Sequence, residues 1–269
     1  MIKTDKPQLH ASALGMHCME AFRRRYIEGE IIPPGIAAIV GTGTHRSIEI
    51  NLSNKIETGE LLPLDAVQDA ARDGLIGAWE SQEIMLQPEE AAQGVKVVRG
   101  QAIDKAVRLA RLHHAEKAPN INPVAVERSW SLNIPGKTFE LVGTMDVQEP
   151  DRIRDTKTSG KTPAADAAVR SVQLKTYALA IWVIDKAMPE KVVLDYLVDN
   201  RKPSAVSLEH EPNADDLDVV MARIDVIDRA MQAGIYMPVE PTHWKCSPKF
   251  CGYYSACRFS TKPKQFSFT

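Results

Sequence analysis

The chain has 269 residues, of which 44% are hydrophobic and 25% are charged, and its formal net charge is −2. This length and composition fit one large globular domain, or a domain with an added lobe, and they exclude a low-complexity or strongly basic protein. Basic residues cluster only locally, at 23–25, 157–161 and 245–264. Residues 1–6 lead into no apolar segment, and the apolar run 177–184 is too short to cross a bilayer, so we expect a cytoplasmic protein without a membrane partner.

A first helix and a mostly helical region over residues 37–118 are predicted. Ser12 is the capping residue of the first helix, prolines open the third and fourth helices, and a Pro-Pro-Gly break at 33–35 ends the first unit. The predicted helices run from Ser12 to about Gly29, from about Gly41 onward, from Pro63 to about Leu86, and from Pro88 to about Lys117.

The pattern changes to short alternating or β-branched runs after residue 120, which indicates strands. The predicted strands cover 124–132, 138–148, 152–158, 192–198 and 205–211, and the predicted helices between and after them cover 164–186 and 215–233. This order predicts an α/β fold with a preceding helical lobe. We divide the chain into an N-terminal helix (1–36), a helical region (37–120), a core (121–234) and a cysteine-containing C-terminal lobe (235–269) packed on the N-terminus.

The most informative chemical pattern lies in the predicted hairpin of strands 138–148 and 152–158. Asp155 and Lys157 are two residues apart, so they point to the same face of a strand. A hairpin that closes symmetrically at Pro150-Asp151 places Asp146 opposite Asp155, with Cβ atoms ~5 Å apart. Two carboxylates at that separation repel unless a cation lies between them. The hairpin therefore predicts a divalent-metal site beside an ammonium group, provided that the register does not slip by one residue.

Two helical pairs accompany the hairpin. His45 and Glu49 share one helical face, and Gly41 and Gly43 lack the side chains that would keep another backbone or a ligand away. The alternative is a glycine-capped helix with a surface histidine.

Gln173 and Tyr177 form the second pair, about sixteen residues after the Asp-x-Lys strand. That spacing suits a helix that crosses back onto the sheet. An amide and a phenol at this place can hold a phosphate or orient the lysine, and the alternative is an ordinary amphipathic helix.

Taken in order, these motifs resemble the PD-(D/E)xK nuclease superfamily, in its RecB-like branch. The family's Gly-x-x-x-His, Gly-x-x-Asp, Asp-x-Lys-Thr and Gln-x-x-x-Tyr motifs resemble residues 41–45, 143–146, 155–158 and 173–177. The resemblance implies a PD-(D/E)xK core, which is a mixed central sheet flanked by helices. It also implies a metal-dependent deoxyribonuclease, expected to be an exonuclease on DNA ends or single strands, that hydrolyses phosphodiesters with a metal-activated water.

The resemblance also implies roles for individual residues. The implied ligands of Mg²⁺ or Mn²⁺ are His45, Asp146, Asp155 and the carbonyl oxygen of Thr156. Lys157 would position the water or stabilise charge on the phosphate. The implied roles of Gln173 and Tyr177 are to organise the site and to contact DNA. Glu127, on the neighbouring strand, could support the metal ligands from behind, but a surface ion pair is the commoner use of such a carboxylate. Glu127 and Glu49 are both left outside the predicted site.

The four cysteines are Cys18, Cys246, Cys251 and Cys257. In a cytoplasmic protein this pattern favours a metal over disulfides, and an iron–sulfur cluster, zinc or no metal are the three alternatives. The arrangement of one cysteine followed by three resembles RecB-like nucleases that join their chain ends with a 4Fe–4S cluster. The interval between Cys246 and Cys251 is four residues where that group has two, whereas the last interval of five matches.

Two other functions remain open from the sequence. The chain could be a non-catalytic DNA-binding or scaffold subunit with the same fold, or a zinc-stapled interaction domain. The sequence contains no Gly-x-x-x-x-Gly-Lys-Ser/Thr phosphate loop, so ATP-driven unwinding would need a separate helicase or recombination partner.

Overall fold

A six-stranded mixed sheet forms the centre of the fold in residues 6–261, the part of the chain that the structure, a computed structural model, describes. The strands are β1 (Gln8–His10), β2 (Ala125–Leu132), β3 (Glu140–Gln148), β4 (Arg152–Ser159), β5 (Lys191–Val198) and β6 (Ser204–His210). Strand β3 is antiparallel to β2 and β4 and parallel to β1, β4 is parallel to β5, and β5 is antiparallel to β6. The predicted mixed α/β fold is thereby confirmed.

Seven α-helices in the described residues pack around this sheet. They are α1 (Met19–Phe22), α2 (Ile36–Thr58), α3 (Leu64–Glu80), α4 (Pro88–Gln93), α5 (Val95–Glu116), α6 (Val172–Asp185) and α7 (Ala214–Ala233). The predicted fourth helix is two helices, because Gly94 adopts a left-handed φ of 88° that ends α4 before α5 begins. Helix α2 begins at Ile36, five residues before the predicted start.

The predicted first helix is wrong. Residues 8–10 form strand β1, residues 11–15 form a 3₁₀ turn that contains Ser12, and α1 is followed by a π-helical turn over 23–27. Strand β1 pairs with β3 and buries Leu9 completely. A strand of three residues has too little periodicity to be recognised in sequence, and its pairing partner lies 132 residues further along the chain.

Two apolar cores cover the two faces of the sheet. One core contains residues of α6 and α7 with Val192 and Leu194 of β5, and the other contains residues of α2, α3 and α5 with Leu197. Positions 192 and 194 share one face of a strand and position 197 lies on the other, so the helices form layers on both sides. None of the helices described is both long and apolar enough to cross a membrane.

Gly143 on β3 is required by close packing against Trp130 of β2. A Cβ at position 143 would lie 2.5 Å from the indole ring, which itself contacts Tyr177 edge-to-face with ring centroids 6.2 Å apart. The glycine of the Gly-x-x-Asp motif therefore serves the packing between β2, β3 and α6.

We expect Gly143→Ala to destabilise the protein by about 1–3 kcal/mol, because the indole must move from a packed position. Thermal unfolding should show a lower Tm, by about 2–4 °C per kcal/mol for a chain of this size. Gly100→Ala is the matched control, since no atom lies within 4 Å of a Cβ at this helical position. This control should raise the Tm slightly, because alanine is the better helix former. Equal effects of both substitutions would contradict the packing argument.

Candidate functional site

The candidate site lies where β3 and β4 diverge. Val147 pairs with Arg154 and Gln148 with Ile153, so Asp146 and Asp155 are the next opposed residues, as the symmetric hairpin predicted. The regular pairing stops at this point. The backbone N–H of Thr156 donates instead to Oδ2 of Asp146, at 2.7 Å. The carboxylate of β3 thus replaces a ladder hydrogen bond and holds the separated strands together.

Asp155, which is buried, and Lys157, which is partly exposed, form an ion pair on one face of β4. Lys157 Nζ lies 2.7 Å from Oδ2 of Asp155, whose side chain is 1% exposed. Burial raises the pKa of Asp155 to about 6, in spite of the ammonium group, and the nearby Asp146 carboxylate adds to the increase. Burial alone would lower the pKa of Lys157, but attraction to Asp155 outweighs it and raises that pKa.

A short hydrogen-bond chain connects Lys157 to helix α6. Lys157 Nζ donates to Oε1 of Gln173 at 3.1 Å, and Nε2 of Gln173 donates to the hydroxyl oxygen of Tyr177 at 2.6 Å. The predicted helical pair therefore shares a face and reaches the predicted lysine. Burial, together with the charges of Asp155 and Asp146, raises the pKa of Tyr177, so the phenol stays protonated and can itself donate.

His45 on α2 completes the cluster from above the strands. Helix α2 approaches α3 closely at Gly43, where a Cβ would lie 2.7 Å from the carbonyl oxygen of Ala71. The expectation that Gly43 admits another backbone is thus confirmed. His45 Nε2 lies 3.0 Å from the carbonyl oxygen of Thr156. A carbonyl oxygen only accepts, so Nε2 carries the hydrogen, and Nδ1 faces Asp146 Oδ2 at 3.4 Å.

Glu127 of β2 belongs to the cluster, although the sequence interpretation left it outside the predicted site. Its Oε1 lies 4.0 Å from His45 Nδ1, and the ligand atoms of His45, Glu127 and Asp146 all lie within 4.8 Å of one another. Glu127 adopts a φ of 49°, the left-handed region that costs a non-glycine residue about 1–3 kcal/mol. Burial and the Asp146 carboxylate raise the pKa of Glu127 to about 7.

The remaining residues at the mouth of this cleft are mostly small. Helix α2 contributes Ala38, Gly41 and Thr42 to the cleft, beside His45. Glu49 also lines it, but its carboxylate pairs with Arg46 at 2.7 Å. The ion pair with Arg46 gives the Glu49 carboxylate a partner outside the cluster. Small residues along this part of α2 leave the cleft open beside His45.

The four cysteines line a single cavity between the two ends of the chain. None of them is in a disulfide, and no three have their sulfur atoms within 4.8 Å of one another. Burial raises the pKa of Cys246 and Cys251, and repulsion by the other cysteines of the cavity adds to it. The segment at α1 also contacts the segment after α7 through backbone groups, since the N–H of Met19 donates to the carbonyl oxygen of Met237 at 3.1 Å.

Comparison with known proteins agrees with this geometry. The family model of the PD-(D/E)XK nuclease superfamily matches residues 13–258. The chain belongs to the PD-(D/E)XK nuclease superfamily. No curated protein matches it by sequence.

Solved structures are similar to this PD-(D/E)XK protein at low sequence identity. A proposed exonuclease from Eubacterium rectale superimposes with a TM-score of 0.58 and 11% identity, over 98% of this chain and 97% of the other. A phage-related exonuclease from Haemophilus somnus 129PT has a TM-score of 0.35 and 13% identity, over 77% of this chain and 97% of the other. The first similarity supports the PD-(D/E)XK fold described above.

The raised pKa of Glu127 makes a testable contribution to the stability of this PD-(D/E)XK protein. An ordinary glutamate has a pKa of 4.5 and Glu127 has one of about 7, so folding favours the protonated form. The charged form of Glu127 therefore lowers the free energy of unfolding. This destabilisation is present in full above pH 7 and disappears as the pH falls towards 4.5. We expect metal-free Glu127→Gln to melt above the wild type at pH 8, and the difference in Tm to shrink on acidification to pH 5.

Thermal melts at several pH values in the absence of divalent metal measure this difference. Glu49→Gln is the matched control, because this glutamate lines the same cleft and pairs with Arg46. The control should not melt above the wild type at pH 8. A Glu127→Gln variant that is less stable than the wild type at pH 8 would contradict the argument.

Proposed function

We propose that the protein is a Mg²⁺- or Mn²⁺-dependent DNA nuclease, of the RecB-like branch and with exonuclease activity. One observation carries this proposal. An imidazole nitrogen and two carboxylate oxygens, from His45, Glu127 and Asp146, converge within 4.8 Å next to the ion pair of Asp155 and Lys157. Acidic groups held this close are repulsive without a cation, and a lysine beside them suits an anionic substrate.

The donor set fits the proposed metal. Carboxylate oxygens are the ligands that Mg²⁺ and Mn²⁺ prefer, and one neutral imidazole favours Mn²⁺ among them. The hydrogen bond from Nε2 of His45 to the Thr156 carbonyl leaves Nδ1 available on the side of the carboxylates. Asp155 is a further proposed ligand, because its carboxylate lies close enough to that of Asp146 for the two charges to repel each other. The Thr156 carbonyl oxygen is proposed on the family resemblance alone, since here it accepts from His45.

The chain's own residues have distinct proposed roles in hydrolysis. When bound, the metal supplies Lewis acidity towards the scissile phosphate and lowers the pKa of a water molecule. Lys157, held between Asp155 and Gln173, orients the attacking water or neutralises charge that develops on the phosphate. Tyr177 fixes the amide of Gln173, and this chain of contacts sets the position of the ammonium group before DNA arrives.

We also propose that the four cysteines hold a 4Fe–4S cluster. They line one cavity, and the spacing of their sulfur atoms is wider than a tetrahedral zinc site needs, since Zn–S bonds are about 2.3 Å long. A cluster at this place would join the segment before α1 to the C-terminal lobe. Its role would be structural, and the thiols would have to lose their protons when it forms.

The assay that tests the proposal uses three DNA substrates. End-labelled single-stranded DNA, end-labelled duplex and a closed circle are incubated with Mg²⁺ or Mn²⁺, each against a metal-free control. We expect metal-dependent release of short products from the linear substrates and an intact circle. Cleavage of the circle would replace the exonuclease with an endonuclease, and absence of cleavage on all three would favour a non-catalytic DNA-binding subunit. Stimulation by an added helicase would identify the kind of partner.

A further inference from the structure

The C-terminal lobe exposes two large aromatic side chains that touch each other. The rings of Trp244 and Phe250 are in edge-to-face contact with centroids 5.0 Å apart, yet the residues are 60% and 56% exposed. Most rings of this size in a folded domain are largely buried, so a mutually supported but open pair offers unused apolar surface.

Further rings extend this pair into a row. The imidazole of His243 stacks on Trp244 at 5.9 Å with an angle of 23° between the ring planes, and His17 lies 5.7 Å from His243. We call His17, His243, Trp244 and Phe250 the aromatic row. The row is anchored at the cysteine cavity, because Phe250 directly precedes Cys251 in the chain.

Positive charge surrounds the aromatic row. Lys245 Nζ lies 5.3 Å from the centre of the Trp244 ring, and Lys249 Nζ lies 5.6 Å from the centre of the Phe250 ring. Residues 241–269 contain five lysines and arginines and neither aspartate nor glutamate, although the whole chain has a net charge of −2. This segment is therefore locally basic in an acidic protein, and it attracts a polyanion.

We propose that the aromatic row binds single-stranded DNA. Bases in a duplex already stack on one another, whereas unpaired bases have free faces that stack on exposed aromatic rings. The ammonium groups of the two lysines lie over these rings. When a base stacks on a ring, the lysine side chain can turn away and contact the phosphates on either side of that base. An acidic protein would match the charge but would gain little from two open ring faces.

This inference rests on the proposed function for the choice of DNA as the nucleic acid, and it adds the strand preference. It assigns recognition of unpaired bases to the C-terminal lobe. It does not require that the cleft itself distinguish single strands from duplexes.

The test is binding of a fluorescein-labelled 20-residue oligothymidylate, followed by anisotropy in buffer without added divalent metal. We expect Trp244→Ala and Phe250→Ala each to weaken binding about tenfold, the loss of one stacked base. Trp244→Phe should restore most of the affinity, because it keeps a ring face. Lys249→Ala should reduce the slope of log affinity against log salt by about 0.7, as expected for one phosphate contact to a single strand.

Trp182→Ala is the matched control, because this tryptophan lies on α6 and is exposed to a similar extent, 50%. Its binding should equal that of the wild type. The inference is overturned if Trp244→Ala and Phe250→Ala bind as tightly as the wild type. Weakening by Trp182→Ala to the same extent, tighter binding of a blunt duplex, or equal displacement by polyglutamate would overturn it as well.

Binding without metal separates this inference from the proposed function. Metal-dependent cleavage together with binding that ignores Trp244 would remove only the single-strand surface. Binding that depends on Trp244 without any cleavage would leave the surface in place and remove the nuclease.

Discussion

Asp155→Asn is expected to reduce metal-dependent DNA cleavage by about 1,000-fold. The substitution keeps the shape of the side chain but removes the charge that pairs with Lys157 at 2.7 Å and that adds to the acidic cluster. Loss of one group that stabilises charge in a transition state costs two to three orders of magnitude. The comparison is made with linear end-labelled DNA and Mn²⁺ under conditions of excess substrate.

The fold should survive this change. Asparagine has nearly the size and shape of aspartate, and its Oδ1 can still accept a hydrogen bond from Lys157. Asp151→Asn is the matched control, because it is the same substitution in the turn of the same hairpin, where the carboxylate contacts Arg152. The control should cleave within twofold of the wild type. Asp155→Asn that keeps its circular dichroism and also keeps more than a tenth of its cleavage would remove Asp155 from the proposed site.

Cys251→Ala is expected to yield a colourless protein whose C-terminal lobe no longer packs stably against the N-terminal segment. With one of four thiolate ligands missing, the proposed cluster cannot be held, and absorbance near ~400 nm should vanish from anaerobically purified protein. Binding free energy at a structural metal site is folding free energy, so the Tm should fall by more than about 10 °C.

Limited proteolysis locates the effect. New cleavage between α7 and the lobe, at residues 234–243, is expected in the variant only. Thr242→Ala changes an exposed residue of the same segment and should keep both the colour and the Tm. A colourless wild type with stoichiometric zinc would contradict the iron–sulfur proposal, and a metal-free wild type with the same Tm as Cys251→Ala would contradict any structural metal.

The hairpin could be predicted from sequence because its information is local. The turn at Pro150-Asp151 fixes the register, and register decides that Asp146 opposes Asp155. The contact between Gln173 and Tyr177 follows from helical periodicity in the same way. In both cases the interacting residues lie within sixteen positions of each other, so pattern and spacing carry the result.

Glu127 could not be assigned in this way. Its place in the cluster depends on the register of β2 on β3, in which Val126 pairs with Val147 and Arg128 with Met145, so that Glu127 lies opposite Asp146. The short strand β1 was not predicted for a related reason, since it is stabilised by pairing with β3, which is distant in the sequence. The break at Gly94 was visible only as a glycine, and a glycine inside a helical pattern does not by itself show that its φ is 88°.

The left-handed backbone at Glu127 has a consequence for directed evolution of the protein. Glycine at position 127 would adopt this conformation without strain and would also take one negative charge out of the cluster. A library selected for survival of heating in a chelating buffer should therefore enrich glycine there. The selected variants would be thermostable but would bind the proposed Mn²⁺ weakly. Selection for thermostability and selection for the proposed activity would therefore favour different residues at position 127.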